Sequence, residues 1–371
     1  MFYFDHSAST PLHPQVLELM QSVQSEVYGN PSSVHSQGRQ ARSIIEKARK
    51  QIASAIKSDP SQIIFTSGGT EANNQVFWSR LTSNRNHVIT DSIEHPAVSN
   101  VLKNLEKLGL SHSVVSVDKT GMVSPQDIDK VIHPNTGLIS VMLANNEVGT
   151  IQLISEIVAL AKSHQILVHT DAVQCLGKIP IDVKNLNVDF LSLSAHKFYG
   201  PKGIGILYVK DKETISSLLI GGSQESGLRA GTENIASIAG MGLAAELCST
   251  SLENHISDLK SFEAQFKNGL GEFFPNAIYH GHPEKKLPGL VSVSFPGNRS
   301  DILMAKLDRA KMAVSSGSAC GSGNVKPSLV LKALGLDDET NICTLRVSFG
   351  HTNTPEQIDS LLKELKTILA T

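Results

Sequence analysis

From residue 62 to residue 209 the chain alternates short apolar runs with segments of helical spacing, and few folds accept such a pattern. Strands are expected at 63–66, 87–90, 113–117, 138–143, 166–169, 190–193 and 203–209, with helices at 70–81, 97–108, 125–131 and 153–163 between them. Successive strands separated by helices need crossover connections, so the sheet is expected to be mostly parallel with helices on both faces. The fold class is α/β. Two helices precede this region, at 11–26 and 37–56, and the basic residues of the second read as a solvated face.

A long helical stretch, 234–247 and 252–272, connects to a second pattern of strands at 291–295, 311–314 and 344–348 and helices at 301–308, 327–333 and 355–370. These read as a smaller α+β unit. The first dozen residues are expected to join it, since extended N-terminal segments are tied down by pairing in a sheet. The expected division is therefore a large domain of 14–250 and a small domain of 1–13 and 251–371.

With 371 residues the chain can bury a large core, and 40% hydrophobic residues, 18% charged and a net charge of −2 describe an ordinary globular protein. That balance leaves no electrostatic drive toward nucleic acid or an anionic membrane. The start, MFYFDHSAST, lacks the pattern of a secretory signal, and no apolar run reaches membrane-spanning length, so the cytoplasm is the expected location. The four cysteines, Cys175, Cys248, Cys320 and Cys343, form no CxxC or zinc-type cluster. Reduced thiols and no metal site are expected.

In open α/β sheets ligands bind beyond the carboxyl ends of the strands. The first strand here ends in Ser67-Gly68-Gly69-Thr70-Glu71, a glycine-rich turn opening a helix, whose free N–H groups and dipole favour a phosphate. The next is followed by Glu94-His95-Pro96, and strand 138–143 by Ala144-Asn145-Asn146-Glu147. Strand 166–169 runs into Asp171, with Gln174 one helical turn later, and strand 190–193 runs into Ser194, His196 and Lys197. A lysine just past a buried strand is unusual, and one desolvated enough to lose its proton forms Schiff bases with carbonyls. Together a phosphate cradle, an imidazole, amides, a carboxylate and a lysine suit pyridoxal phosphate. Its aldehyde needs the lysine, its pyridinium nitrogen the carboxylate and its phosphate the hydroxyls and N–H donors. Further on, Ser315 to Gly323 is a small polar run carrying Cys320, too poor in apolar groups to pack a core. Arg346, in LRVSFG at a strand end, could hold a carboxylate in bidentate fashion.

The ordered stretches FDHSASTP, YGNPSSVH, FTSGGTEANN, EHPAV, NNEVGTIQ, HTDAVQ, LSAHKFYGPKGIG, GLRAGTEN, SSGSAC and LRVSFG resemble the cysteine desulfurases, fold-type I pyridoxal-phosphate enzymes of the class V aminotransferase group. The cysteine segment is similar to that of the branch with the longer mobile loop. The resemblance implies that Lys197 binds the cofactor aldehyde, Asp171 pairs with the ring nitrogen, Gln174 contacts the ring hydroxyl and His95 stacks on the ring. It implies Gly69, Thr70, Ser194 and His196 at the phosphate, joined by Thr232 from a neighbouring subunit, hence a homodimer with shared sites. Asn146 would lie beside cofactor and substrate, and Arg346 and Asn30 would receive the substrate carboxylate. L-Cysteine would be the substrate, Lys197 and His95 would move protons, and Cys320 would take the sulfur as a persulfide for an acceptor protein, releasing L-alanine. The cofactor residues alone do not select the reaction. An aminotransferase or selenocysteine lyase would share them, and Cys320 discriminates; a non-catalytic sulfur-assembly protein would lack the lysine-bound cofactor.

Overall fold

The computed structural model describes residues 1–317 and 326–370. Its strands in chain order are β1 (Phe2–Tyr3), β2 (Ile63–Thr66), β3 (His87–Asp91), β4 (Ser111–Val115), β5 (Thr136–Ser140), β6 (Leu167–Asp171), β7 (Phe190–Ser194), β8 (Gly205–Val209), β9 (Ile278–His280), β10 (Leu290–Ser294), β11 (Met312–Ala313) and β12 (Thr344–Ser348). Seven of them build the central sheet in the order β2-β8-β7-β6-β5-β3-β4. The neighbours from β7 through to β4 pair in parallel, and β8 alone runs antiparallel to both of its partners. The exception has a cause in chain length. The turn from Ser194 to Gly205 is too short for a helical crossover, so the chain must double back.

Alternate residues of each strand enter two different cores, as the pleat requires. Phe65, Ile89, Ile139, Val168, Leu191 and Ile206 face helices Ser36–Ala55, Ile154–Ser163 and Ile235–Thr250. Ile64, Val88, Leu138, Phe190 and Leu207 face helices Gly69–Leu81 and Pro96–Leu105. Each such side chain, fully buried, contributes about 1.5–3 kcal/mol. Polar residues in the strands are matched rather than solvated. His169 lies between Ser140 Oγ at 2.8 Å and Ser192 Oγ at 3.1 Å, and complete burial pushes its imidazole down to about 3.

Beyond helix Leu252–Phe273 the strands β9, β10 and β12 form an antiparallel sheet of order β12-β10-β9, with Leu290 opposite Ser348. Phe4, Phe266, Val291, Val293, Phe295, Leu345, Val347 and Leu361 make a separate apolar core there. The N-terminus runs through this unit: β1 pairs in parallel with β11, Phe2 opposite Met312, and Ser348 N donates to Phe4 O at 2.8 Å. From Asp5 to Thr10 the chain then crosses to the end of β7. There Thr10 N donates to His196 O at 2.8 Å and Tyr199 N to Thr10 Oγ1 at 2.6 Å. The N-terminal segment thus forms one wall of the site described next. Among the described residues no single helix is long and apolar enough to cross a membrane.

Candidate active site

Five strand ends of the central sheet open on one cavity of about 190 Å³, and its lining includes Gly69, Thr70, His95, Asn146, Asp171, Gln174, Ser194, His196, Lys197 and Arg346. A tight turn, Ala195–Lys197, follows β7 and carries Lys197 to its centre. Its Nζ donates to Ser7 O at 2.6 Å and Ala8 O at 2.7 Å, both from the N-terminal segment. Burial, with the charges of Lys178 and Arg346, pushes the amine down to about 7. A desolvated amine without a carboxylate partner gives up its proton readily, and the free amine is the nucleophile.

Asp171, last residue of β6, faces the same cavity. One carboxylate oxygen accepts from Asn73 Nδ2 at 2.8 Å and the other from Val173 N at 3.0 Å. Gln174 spans the floor, its Nε2 donating to Ser7 O at 2.9 Å and its Oε1 accepting from Lys178 Nζ at 3.1 Å. His95 caps helix Pro96–Leu105: its Nδ1 accepts from Ala97 N at 3.0 Å, so the neutral ring carries its proton on Nε2. Burial, and secondarily Lys197, lowers its pKa against the opposing pull of Asp171.

At the opposite end Gly69 and Thr70 start helix Gly69–Leu81, where the first N–H groups have no partner within the helix. Two close approaches shape this end. A Cβ on Gly69 would lie 2.7 Å from Val173 Cγ2, and one on Gly205 would lie 2.5 Å from Leu193 O and 2.6 Å from Gly68 Cα. A second, more open cavity continues outward from here, sharing Ala8, Gly69, Thr70, Ser194 and His196 and adding Ser67 and Lys202. His196 Nδ1 is 3.2 Å from Ser9 Oγ, and burial beside Lys197 and Lys202 lowers it to about 4.

Arg346 enters from β12, donating to Asn146 O at 3.0 Å and Asp5 Oδ1 at 2.9 Å. Its Nε is buried with no partner, an unused donor at the cavity wall. Its backbone pairs with Ser315, by bonds of 3.1 and 2.7 Å, so the chain leading to Cys320 starts beside the cavity. Cys320 itself lies outside the described residues. Glu147 borders the two flanks of that segment. Its Oε2 accepts from Ser328 Oγ at 2.5 Å and lies where Gly317 would carry a Cβ, and burial raises it to about 7.

Two of the expected residues are not brought to this cavity by the single chain. Asn30 is exposed, its Oδ1 accepting from Ser32 N at 2.9 Å. Thr232 lines another cavity, with Ser67, Glu225 and Arg229. Asn73 and Lys178, which follow no strand end, also bond to residues of the site, to Asp171 and Gln174. Asn73 could have been found from its spacing, one helical turn beyond Gly69 and so on the same face.

The donor set fits pyridoxal phosphate. A carboxylate held by Asn73 faces one end of the cavity, a deprotonatable lysine the middle, and free helix N–H groups with Thr70 and Ser194 the other end. The profile of the family described as aminotransferase class-V matches residues 2–361. Over 370 residues the chain is 42% identical to a protein named cysteine desulfurase IscS from Dictyoglomus turgidum, covering 99% of this chain and 94% of the relative. A cysteine desulfurase IscS from Methanosarcina thermophila is 43% identical over 99% of this chain and 91% of its own. Among solved structures, one titled NifS-like protein superposes with a TM-score of 0.94 at 37% identity, covering 100% of this chain and 99% of the other. Another, titled SspA in complex with cysteine, has a TM-score of 0.83 at 36% identity over 95% and 100% of the two chains. The lysine, carboxylate and glycine-rich turn stand at the strand ends of a chain matched almost end to end: it belongs to the class-V aminotransferase family and, within it, to the pyridoxal-phosphate-dependent cysteine desulfurases.

Proposed function

We propose that the residues of this chain divide the conversion of L-cysteine to L-alanine among five tasks: anchoring, orienting, proton transfer, carboxylate binding and sulfur capture. The observation that carries this reading is the buried Lys197 amine, pushed down to about 7, in one cavity with Asp171 and the start of helix Gly69–Leu81. Pyridoxal phosphate, when bound, supplies an electron-withdrawing ring that stabilises negative charge at the substrate Cα. Lys197 would hold the cofactor aldehyde, and its Nζ, when free, would take the Cα proton of the substrate. Asp171, its carboxylate oriented by Asn73 and Val173 N, keeps the ring nitrogen protonated. Gln174 would contact the ring hydroxyl and His95 would lie against the ring. Gly69, Thr70, Ser194 and His196 hold the phosphate.

Arg346 receives the substrate carboxylate, using the buried Nε that has no partner of its own. Asn146 lies beside substrate and cofactor. Cys320 attacks the substrate sulfur as thiolate: the new S–S bond forms as the Cβ–S bond breaks, and the persulfide stays on the enzyme. His95, with its proton on Nε2, exchanges protons with the thiols. The sulfur then passes to an acceptor protein, in a reducing cytoplasm that keeps such thiols free.

The chain acts as a homodimer in this reading, with Thr232 reaching the phosphate of the neighbouring subunit and Asn30 joining Arg346 at the carboxylate. Its support is that both residues stand away from the cavity of their own chain. The cofactor-binding unit is residues 14–250, and residues 1–13 with 251–371 form the smaller unit; the smaller unit's own apolar core supports the division, while Leu287 and Leu290 join the larger core and Val330, Leu331 and Leu334 pack with Ile93, Met142 and Val148 across it.

Cys320→Ala tests the assignment. Alanine formation from L-cysteine should fall to background while the visible band of the lysine-bound cofactor remains. Alanine formed at the wild-type rate would remove Cys320 from the mechanism.

A further inference from the structure

Four residues beyond Gln174, Lys178 ends the same turn and places its ammonium behind the active site. The side chain is fully buried, and among the described residues no carboxylate lies within ion-pair distance of it. Its hydrogen bond goes to Gln174 Oε1 at 3.1 Å. A buried ammonium with one neutral acceptor is costly to place, whereas a methionine of similar length would fill the space without that penalty.

Two consequences follow from this placement. An ammonium can only donate, so the amide oxygen of Gln174 must face Lys178 and the amide nitrogen must face the cavity side. That nitrogen gives one hydrogen to Ser7 O at 2.9 Å, the same carbonyl that accepts from Lys197 at 2.6 Å, and keeps its second hydrogen for the cavity. The other consequence is electrostatic. Within electrostatic reach of Lys178 are the thiols of Cys175 and Cys248, the imidazoles of His6, His196 and His255, the guanidinium of Arg346 and the amine of Lys197. Burial raises both thiols, so none of these neighbours brings a negative charge at neutral pH. The positive charge of Lys178 acts on the amine of Lys197 together with that of Arg346 and against the smaller opposing pull of Asp5 and Asp171.

We propose that Lys178 is a positioning residue for the cofactor lysine, fixing the amide of Gln174 as a donor toward the cavity and setting an uncompensated positive charge behind Lys197. This rests on Lys197 being the cofactor lysine. Lys178 itself touches neither substrate nor cofactor. After burial, its charge is the largest influence lowering Lys197 to about 7, while burial brings Lys178 to about 8.

The test labels the cofactor-stripped full chain with acetic anhydride across pH and reads acetylation of the Lys197 peptide by mass spectrometry, so it does not depend on turnover. In Lys178→Met the pH of half-labelling should move up by about one unit, and Lys178→Arg should keep the wild-type value. In the loaded proteins the titration of the visible band should move the same way. A Lys178→Met protein with unchanged labelling overturns the proposal, as does Lys178→Arg behaving like Lys178→Met. Should Lys178→Met not fold, Lys178→Gln takes its place: an upward move of half-labelling supports the proposal, and an unchanged value overturns it. Absence of the visible band in the reconstituted wild type would instead strike the reading of Lys197 as cofactor lysine.

Discussion

Lys197→Met in the cofactor-free protein should stabilise the fold by an amount that falls as pH rises. Burial, Lys178 and Arg346 bring the amine from 10.5 down to about 7. At about 1.36 kcal/mol per pH unit, holding this amine charged in the folded protein costs on the order of 4–5 kcal/mol below pH 7. The sign follows from proton counting. The folded value lies below the unfolded one, so between pH 7 and 10.5 the unfolded chain binds more protons and wild-type stability climbs with pH through that window. Methionine removes the proton term at every pH. The bonds to Ser7 O and Ala8 O, at 2.6 and 2.7 Å, are lost at every pH too and drop out when two pH values are compared. Urea unfolding of both proteins should show the variant's advantage shrinking by about 2–3 kcal/mol between about pH 6 and about pH 9. An advantage that stays constant, or grows toward alkaline pH, would refute the claim that the fold strips Lys197 of its proton.

Two other perturbations probe the frame and the substrate site. Arg49 and Glu225 form a two-pronged ion pair at 2.6 and 2.8 Å, with Glu225 only 3% exposed and also accepting from Phe65 N at 2.9 Å. Glu225→Gln leaves the guanidinium without its main partner and should cost about 3 kcal/mol in denaturant unfolding; a cost under about 1 kcal/mol would mean that the half-buried Glu46 takes over. Arg346→Gln should lower kcat/KM for L-cysteine by roughly 30-fold or more, chiefly through KM, since a buried charge-assisted contact is lost. An unchanged KM in steady-state alanine formation would move the carboxylate site elsewhere.

The central sheet and most of the site were legible because strand ends announce themselves: an apolar run stops and polar residues begin. What stayed hidden depends on distance in space. The expected strand 138–143 is regular only as far as Ser140, where β5 ends; Val141 N and Leu143 N still donate to His169 O and Asp171 O of β6 at 3.2 and 2.9 Å, while Met142 and Ala144 go on to line the cavity. β9 carries the half-exposed Ile278 and Tyr279 at an edge and has no apolar signature to read. The helix expected at 327–333 starts at Leu329, since Ser328 caps it by accepting from Leu331 N at 3.2 Å. Likewise the first helix starts at Pro14, with His13 as its cap.

Within the site, Lys197, Asp171, His95 and the Gly69-Thr70 turn could be listed from the sequence because each directly follows a strand. Lys178 could not. In a stretch reading QCLGK it looks like any surface lysine at the end of a turn, and only the folded chain, which brings Cys248 and Arg346 near it from distant positions, buries it. Asn73 was hidden for a related reason, a polar residue on a helix being solvated far more often than aimed at a buried carboxylate. The wall formed by Ser7 and Ala8 was equally out of reach, since it depends on backbone carbonyls, which no residue type announces.

The most direct measurement of the account as a whole is the mass of the peptide carrying Cys320 after the loaded protein meets L-cysteine without a reductant. One added sulfur atom on Cys320, removed by a thiol and absent from Lys197→Ala, is the predicted result. Alanine accumulating while Cys320 stays unmodified, with the sulfur on another cysteine or free in solution, would contradict it.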